Sequence, residues 1–280
     1  MEKANLGRKP DLICIGAQKS GTTWLHDVLS ERPDIWVPPF KELHFFDHKF
    51  NNENKAWTGW HVRKGVQIAK SRYLKENMSP DPKYIKYLDS ILEKPMFNGT
   101  WYKRIFSQAP INSICLDVTP AYSCISEKGV SFVSNFLKEA KFIYIIRPPF
   151  ERALSQLRMD ITRRGTPLSK GEWVERATMP ILFTRGDYKL NIPRWSAHFD
   201  QKRLLFLPFH GIIKEPYQFL KQVEQFAGLL PFEGYTKATK KIHKSEQITF
   251  PTYVLDIIRE KTLEQDQFIK WYFGSDYLNE

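Results

Sequence analysis

The chain of 280 residues is 42% hydrophobic and 14% aromatic, which is enough apolar material to bury a full core within one α/β domain. Three scattered cysteines (Cys14, Cys115, Cys124), a polar start and no apolar run of bilayer length argue against a disulfide scaffold and a membrane span, and make a reducing cytoplasm the expected location. The formal net charge of +11 and a pI of about 9.4 point to an anionic partner without choosing among nucleic acid, an acidic polymer, a membrane surface and a phosphorylated cofactor.

In chain order, "DLICIG" (Asp11 to Gly16) reads as a buried strand and Thr22 to Ser30 as the helix that follows it. Residues from Asn51 to Pro110 carry no clear strand and read as a helical insertion rich in Trp and Tyr, expected to form one wall of a substrate cleft. "SICLDV" (Ser113 to Val118), "KFIYIIR" (Lys141 to Arg147) and "RLLFLPF" (Arg203 to Phe209) are three further strands. Helices are expected at Val130 to Ala140, at Phe150 to Arg163 and at Glu215 to Gly228, the last with Tyr217, Leu220, Val223 and Ala227 on one face. Continuous apolarity in the strands and their alternation with helices predict a doubly wound parallel α/β sheet, residues 1–280 forming a single domain.

The connection after the first strand, "GAQKSGTTWL" (Gly16 to Leu25), is a phosphate-loop variant. A nucleoside-triphosphate loop has its lysine after the second glycine; here Thr22 follows Gly21 and the lysine is Lys19, ahead of it. Gly16 and Gly21 permit close backbone approach. The helix-start amides at Thr22, Thr23 and Trp24 and the hydroxyls of Ser20, Thr22 and Thr23 suit a tetrahedral anion. After the "KFIYIIR" strand, "IIRPPFERALSQL" offers Arg147 as a forked phosphate ligand and Ser155 as a hydroxyl donor on the next helix. Arg152, one turn before Ser155, reads as a structural ion-pair partner.

With these two motifs the chain resembles the sulfotransferases that use 3′-phosphoadenosine 5′-phosphosulfate (PAPS). Their 5′-phosphosulfate loop reads K-[ST]-G-[TS]-T, and their 3′-phosphate motif R-[DN]-P-x-x-R-x-x-S is matched here by Arg147, Pro149, Arg152 and Ser155, with Pro148 departing from the usual Asp or Asn. The resemblance implies PAPS as the donor, held by Lys19, Ser20, Gly21, Thr22, Thr23, Trp24, Arg147 and Ser155. Lys244, in the late basic piece "KKIHKS", is a further expected contact where relatives close a loop over the nucleotide.

"PFKELHFFD" (Pro39 to Asp47) resembles the E-x-H-F-F-D segment of glycan 3-O-sulfotransferases. The resemblance implies Glu42 as general base, His44 as donor to the sulfuryl oxygens or orienter of Glu42, and Lys19 as bridge between the sulfuryl group and the departing phosphate. "LDVTPAYSC" (Leu116 to Cys124) resembles the same enzymes' E-K-T-P-A-Y, Val118 replacing the lysine that meets an acidic glycan. Asp47, Asp117 and Tyr122 are the acceptor contacts expected on this basis. A sulfuryl group carries less charge than a terminal phosphoryl, and no metal is expected. The implied partner is a hydroxyl-bearing acceptor, whether saccharide, lipid, polyketide or small molecule. Two other readings stay open at this point: a kinase-like nucleotide enzyme, with Asp117 as its Walker B aspartate, and a basic nucleic-acid-binding protein that lacks any zinc-finger or RNP signature.

Overall fold

The structure is a computed structural model that describes residues 7–167, 169–240 and 248–278. Five strands, β1 (Leu12–Gly16), β2 (Ile35–Trp36), β3 (Ile114–Val118), β4 (Lys141–Ile146) and β5 (Leu204–Pro208), form one sheet in the order β2-β3-β1-β4-β5. Every pairing is parallel, with Cys14 beside Val118 and Ile143, and Tyr144 beside Phe206. The chain builds β2 and β3 on one side of β1 and then crosses to β4 and β5, so the topological switch falls between β1 and β4.

The run "LICIG" is apolar throughout because both faces of the sheet are covered. Ile13 and Ile15 join Phe142, Tyr144 and Ile146 in one cluster, while Leu12 and Cys14 join Leu116, Ile143 and Ile145 in the other. On the second face lie α1 (Thr22–Leu29) and, later in the chain, residues 216–227. The first face is covered by α2 (Phe45–Phe50), α3 (Lys55–Glu76), α4 (Pro82–Ser90), α5 (Gly99–Ile105), α6 (Glu127–Phe136) and residues 188–196. Between β2 and β3 the chain forms α2 to α5, and Trp101 and Tyr102 there are fully buried in the same cluster as the strands.

A third cluster lies away from the sheet. There α7 (Pro149–Arg164) packs Ala153, Leu157 and Ile161 against α8 (Lys170–Thr178), α9 (Ile181–Thr184) and, beyond α10 (Tyr188–Ser196), α11 (His210–Lys214) and α12 (Pro216–Ala227), against the long α13 (Thr252–Phe273) through Val254 and Ile258.

Three expectations shift. β2 is a fifth strand only two residues long, too short to show a pattern in sequence. α6 starts at Glu127 because the Ser126 hydroxyl caps it, accepting from Gly129 N, and it ends at Phe136 rather than at Ala140. α12 buries Phe219, Leu220, Val223 and Glu224, leaving Tyr217 56% exposed; Gly228 in the left-handed region (φ 79°) ends it as expected.

Candidate active site

All five strands end at one edge, and the segments leaving them supply the site. After β1 the loop turns through two left-handed residues, Lys19 (φ 71°) and Gly21 (φ 78°). The left-handed backbone at Gly21 demands glycine there, while a Cβ would displace only the tip of the Ile212 side chain, 2.6 Å away. α1 then begins with no side-chain cap and no acidic residue in its first turn, leaving its amides and the positive end of its dipole toward the loop. Gln18 Oε1 is buried without a hydrogen-bond partner among the described residues, and the buried Ser20 hydroxyl faces Tyr188. Trp24 turns its side chain inward, its indole donating to Ala238 O at 2.9 Å and packing edge-on against Phe219.

Across the switch point Arg147 donates to the Lys19 carbonyl at 2.8 Å and lies 4.3 Å from the Phe209 ring centre. Its only carboxylate neighbour among the described ion pairs is Glu151 at 3.4 Å. Lys19 has no ion pair among the described residues; its Nζ lies 3.7 Å from Met159 Sδ. Burial lowers the Lys19 ammonium to about 8, and Arg147, Arg163, Arg152 and Arg158 push in the same direction. Such a set of like charges around a half-buried lysine needs an anion to offset it. Ser155 is half-buried on α7 and Lys244 lies outside the described residues. Arg152 is a correction: it is fully buried and donates to the Leu182 carbonyl, with no ion pair among the described residues.

The segment after β2 brings a second set of groups together. His44 Nε2 is 3.3 Å from Glu42 Oε2, and His44 Nδ1 is 2.9 Å from Asp47 Oδ2, which also accepts from Asn54 at 2.8 Å. With Nδ1–H given to Asp47, the other ring nitrogen faces the Glu42 carboxylate. The His44 ring is held edge-on by Trp57 and His61 of α3, at 4.6 and 4.8 Å between ring centres. His61 Nε2 also sits 3.1 Å from the Glu42 carbonyl. Glu42 is 23% exposed whereas His44 is 2% exposed, so the glutamate is the member of the row that reaches solvent.

The expected acceptor contacts Asp47, Asp117 and Tyr122 are buried, Asp117 beside a depression that Lys41, Glu42 and Leu43 also line. They are 0%, 1% and 0% exposed, because Asp47 is taken up by His44 and Asn54, and Asp117 by three hydroxyls. Tyr102 and Tyr122 donate to Asp117 Oδ2 at 2.8 and 3.1 Å, and Thr119 donates to Oδ1 at 2.7 Å. Burial raises the Asp117 carboxyl to about 6 against those three hydrogen bonds.

Sequence reasoning missed Lys41, Trp57, His61 and Asn54. Lys41 donates to Thr23 Oγ1 at 3.0 Å and lies 3.5 Å from Thr22 Oγ1, so the residue before Glu42 reaches the anion loop. A charged residue beside the proposed base was the one available signal for it. The α3 residues gave none, since only the packing of α3 on α2 brings them to His44.

A parallel sheet with an anion loop after its central strand, an arginine across the switch point and a carboxylate row beside them defines a P-loop-like α/β fold. The profile of the Sulfotransferase family matches residues 10–233, and the chain belongs to that family. It is similar to human heparan sulfate glucosamine 3-O-sulfotransferase 3B1, 22% identical over 227 residues that cover 79% of this chain and 46% of that protein. Mouse bifunctional heparan sulfate N-deacetylase/N-sulfotransferase 4 is 22% identical over 247 residues, 82% of this chain and 23% of that one. The chain thus spans about half the length of the first relative and a quarter of the second. Among solved structures, the sulfotransferase domain of the Synechococcus PCC 7002 olefin synthase matches with TM-score 0.60 at 15% identity, covering 95% of both chains. A sulfotransferase from Alicyclobacillus acidocaldarius matches with TM-score 0.58 at 18% identity, covering 94% and 96%.

Proposed function

We propose that the protein transfers a sulfuryl group from PAPS to a hydroxyl acceptor, with Glu42 as general base. The observation that carries this reading is Lys41, whose ammonium links the Glu42 segment to the loop hydroxyls at 3.0 Å, on the loop where Lys19 stands among arginines. The residues present suit the donor: the buried Ser20 hydroxyl, the uncapped α1 amides, Lys19 and Lys41 would hold the 5′-phosphosulfate. Arg147 and Ser155 would hold the 3′-phosphate, and Lys244 belongs to the same proposal.

When bound, PAPS supplies a sulfur centre with a phosphate leaving group. Glu42 takes the acceptor proton as the new oxygen–sulfur bond forms, and His44, itself held by Asp47, orients the glutamate. Lys19 and Lys41 offset the charge that develops on the sulfuryl oxygens and the departing phosphate. The Asp117 oxygens are engaged by hydroxyl donors, which removes the support for a Walker B role. The test is thermal-shift binding of adenosine 3′,5′-bisphosphate against adenosine 5′-phosphate, ATP with magnesium and oligonucleotides, followed by transfer of labelled sulfate to an acceptor panel. Preferential stabilisation by the bisphosphate with label transfer is expected. Equal stabilisation by all four, or by oligonucleotides alone, overturns the reading.

A further inference from the structure

We propose that Asp117, Thr119 and Tyr122 form a clamp that positions the general-base segment by its backbone, an inference that rests on the sulfotransferase reading only for its effect on rate. The geometry is directional. Each hydroxyl has one proton, and Thr119 and Tyr122 both give theirs to the Asp117 carboxylate, at 2.7 and 3.1 Å. Their oxygens are therefore free to accept, and they do so from the amides of Leu43 at 3.0 Å and Phe45 at 3.1 Å. Those two amides flank His44, and the first follows Glu42 directly.

A carboxylate can only accept, so it dictates the sense of the whole array; an amide side chain would donate to one hydroxyl and turn that hydroxyl's proton toward a backbone N–H. The clamp also shares a frame with the loop. Thr119 N donates to Cys14 O at 3.1 Å, and Cys14 lies on the strand that ends in the anion loop. Asp117, Thr119 and Tyr122 are at most 1% exposed, so they reach no substrate: they act through Glu42 and His44 and are positioning residues. A buried carboxylate held only by neutral hydroxyls is a costly way to end a strand, and the raised Asp117 carboxyl agrees with that cost. Its return is a fixed approach for residues 42–45.

Thr119→Val removes the hydroxyl at constant shape, Thr119→Ser restores it, and Tyr122→Phe removes the other arm. Three measurements on the full chain separate the cases: amide hydrogen exchange at Leu43 and Phe45, calorimetric affinity for adenosine 3′,5′-bisphosphate, and single-turnover release of labelled sulfate from PAPS with water as acceptor. Thr119→Val should speed exchange at Leu43 by about tenfold or more and slow sulfate release by a similar factor, with nucleotide affinity unchanged within about twofold. Thr119→Ser should restore both. Wild-type exchange and turnover in a folded Thr119→Val overturn the clamp, as does a loss of nucleotide affinity equal to the loss of rate. Should Thr119→Val not fold, Tyr122→Phe decides by the same criteria at Phe45. If the wild type neither binds the bisphosphate nor releases sulfate, the functional reading fails, while the exchange data still judge the clamp.

Discussion

At the junction of β1 and β4, Lys19 stands among four arginines, with Glu151 as the one carboxylate paired to Arg147. On the other side of β1, the Glu42, His44 and Asp47 row is paired link by link, with Asp47 Oδ1 buried and without a partner among the described residues. The first region is incomplete by charge and is suited to gain its missing partner from a ligand. The second is held by contacts among its own members and is suited to keep one geometry while a proton moves. Binding and chemistry are thus built by different means on either side of the central strand.

The strongest way to test this division is Glu42→Gln, which keeps the side-chain size and the contact with His44. Single-turnover sulfate transfer should fall by roughly two to four orders of magnitude, while calorimetric affinity for adenosine 3′,5′-bisphosphate stays near wild type. Near-normal transfer by the folded variant would make His44 the next base to test. Arg147→Ala should do the reverse. It should cut the preference for the bisphosphate over adenosine 5′-phosphate by roughly 10- to 100-fold, the value of a charge-assisted contact of about 1.5 to 3 kcal/mol. An unchanged preference would detach Arg147 from the 3′-phosphate.

A smaller effect should appear in stability. Because burial raises the Asp117 carboxyl from its ordinary value to about 6, the folded state binds the proton more tightly than the unfolded chain. The contribution of Asp117 is most favourable below pH 4 and is lost as pH rises through about 6, amounting to about 2 to 3 kcal/mol. Urea unfolding of wild type and Asp117→Asn at pH 4 and pH 7.5 should show the wild type losing more stability over that interval. Tyr102, Tyr122, His44, Lys41 and Cys14 face Asp117 and are common to both proteins, so the difference between the two isolates the carboxyl.

The finest test concerns protons. Lys19, lowered to about 8, should regain a full charge when an anion arrives, so nucleotide binding above pH 8 should take up a fraction of a proton. Calorimetry near pH 8.5 in buffers of different ionisation enthalpy measures it, and Lys19→Arg, which stays charged, should abolish it. Uptake that persists in Lys19→Arg would assign the proton to another group.

How legible each region was follows the same division. Lys19 to Thr23 and Arg147 to Ser155 are contiguous stretches at strand ends, so spacing alone brought them to one edge, and the four long strands announced themselves by unbroken apolarity. The Glu42 row was legible in its members but not in its surroundings. Trp57 and His61 reach His44 from α3, and Asp117 reaches the same segment from a strand more than sixty residues on. The surroundings of Asp47, Asp117 and Tyr122 were not legible either: Asp47 lies in α2, Asp117 in β3 and Tyr122 just after it, and sequence does not show that His44 and Asn54 engage the first carboxylate or that Tyr102 and Thr119 engage the second.

The long crossover between β2 and β3 has one more implication. It carries residues 45–105, including the wall behind His44, whereas the connections bearing Lys19 and Arg147 are short turns fixed by neighbouring strands. Changes on the exposed parts of α3 and α4 can therefore be absorbed without altering the two short turns, whereas Trp57, His61, Trp101 and Tyr102 are fixed by what they pack against. A lineage built on this plan can change what it modifies by remodelling one excursion of the chain, and keep a single donor throughout.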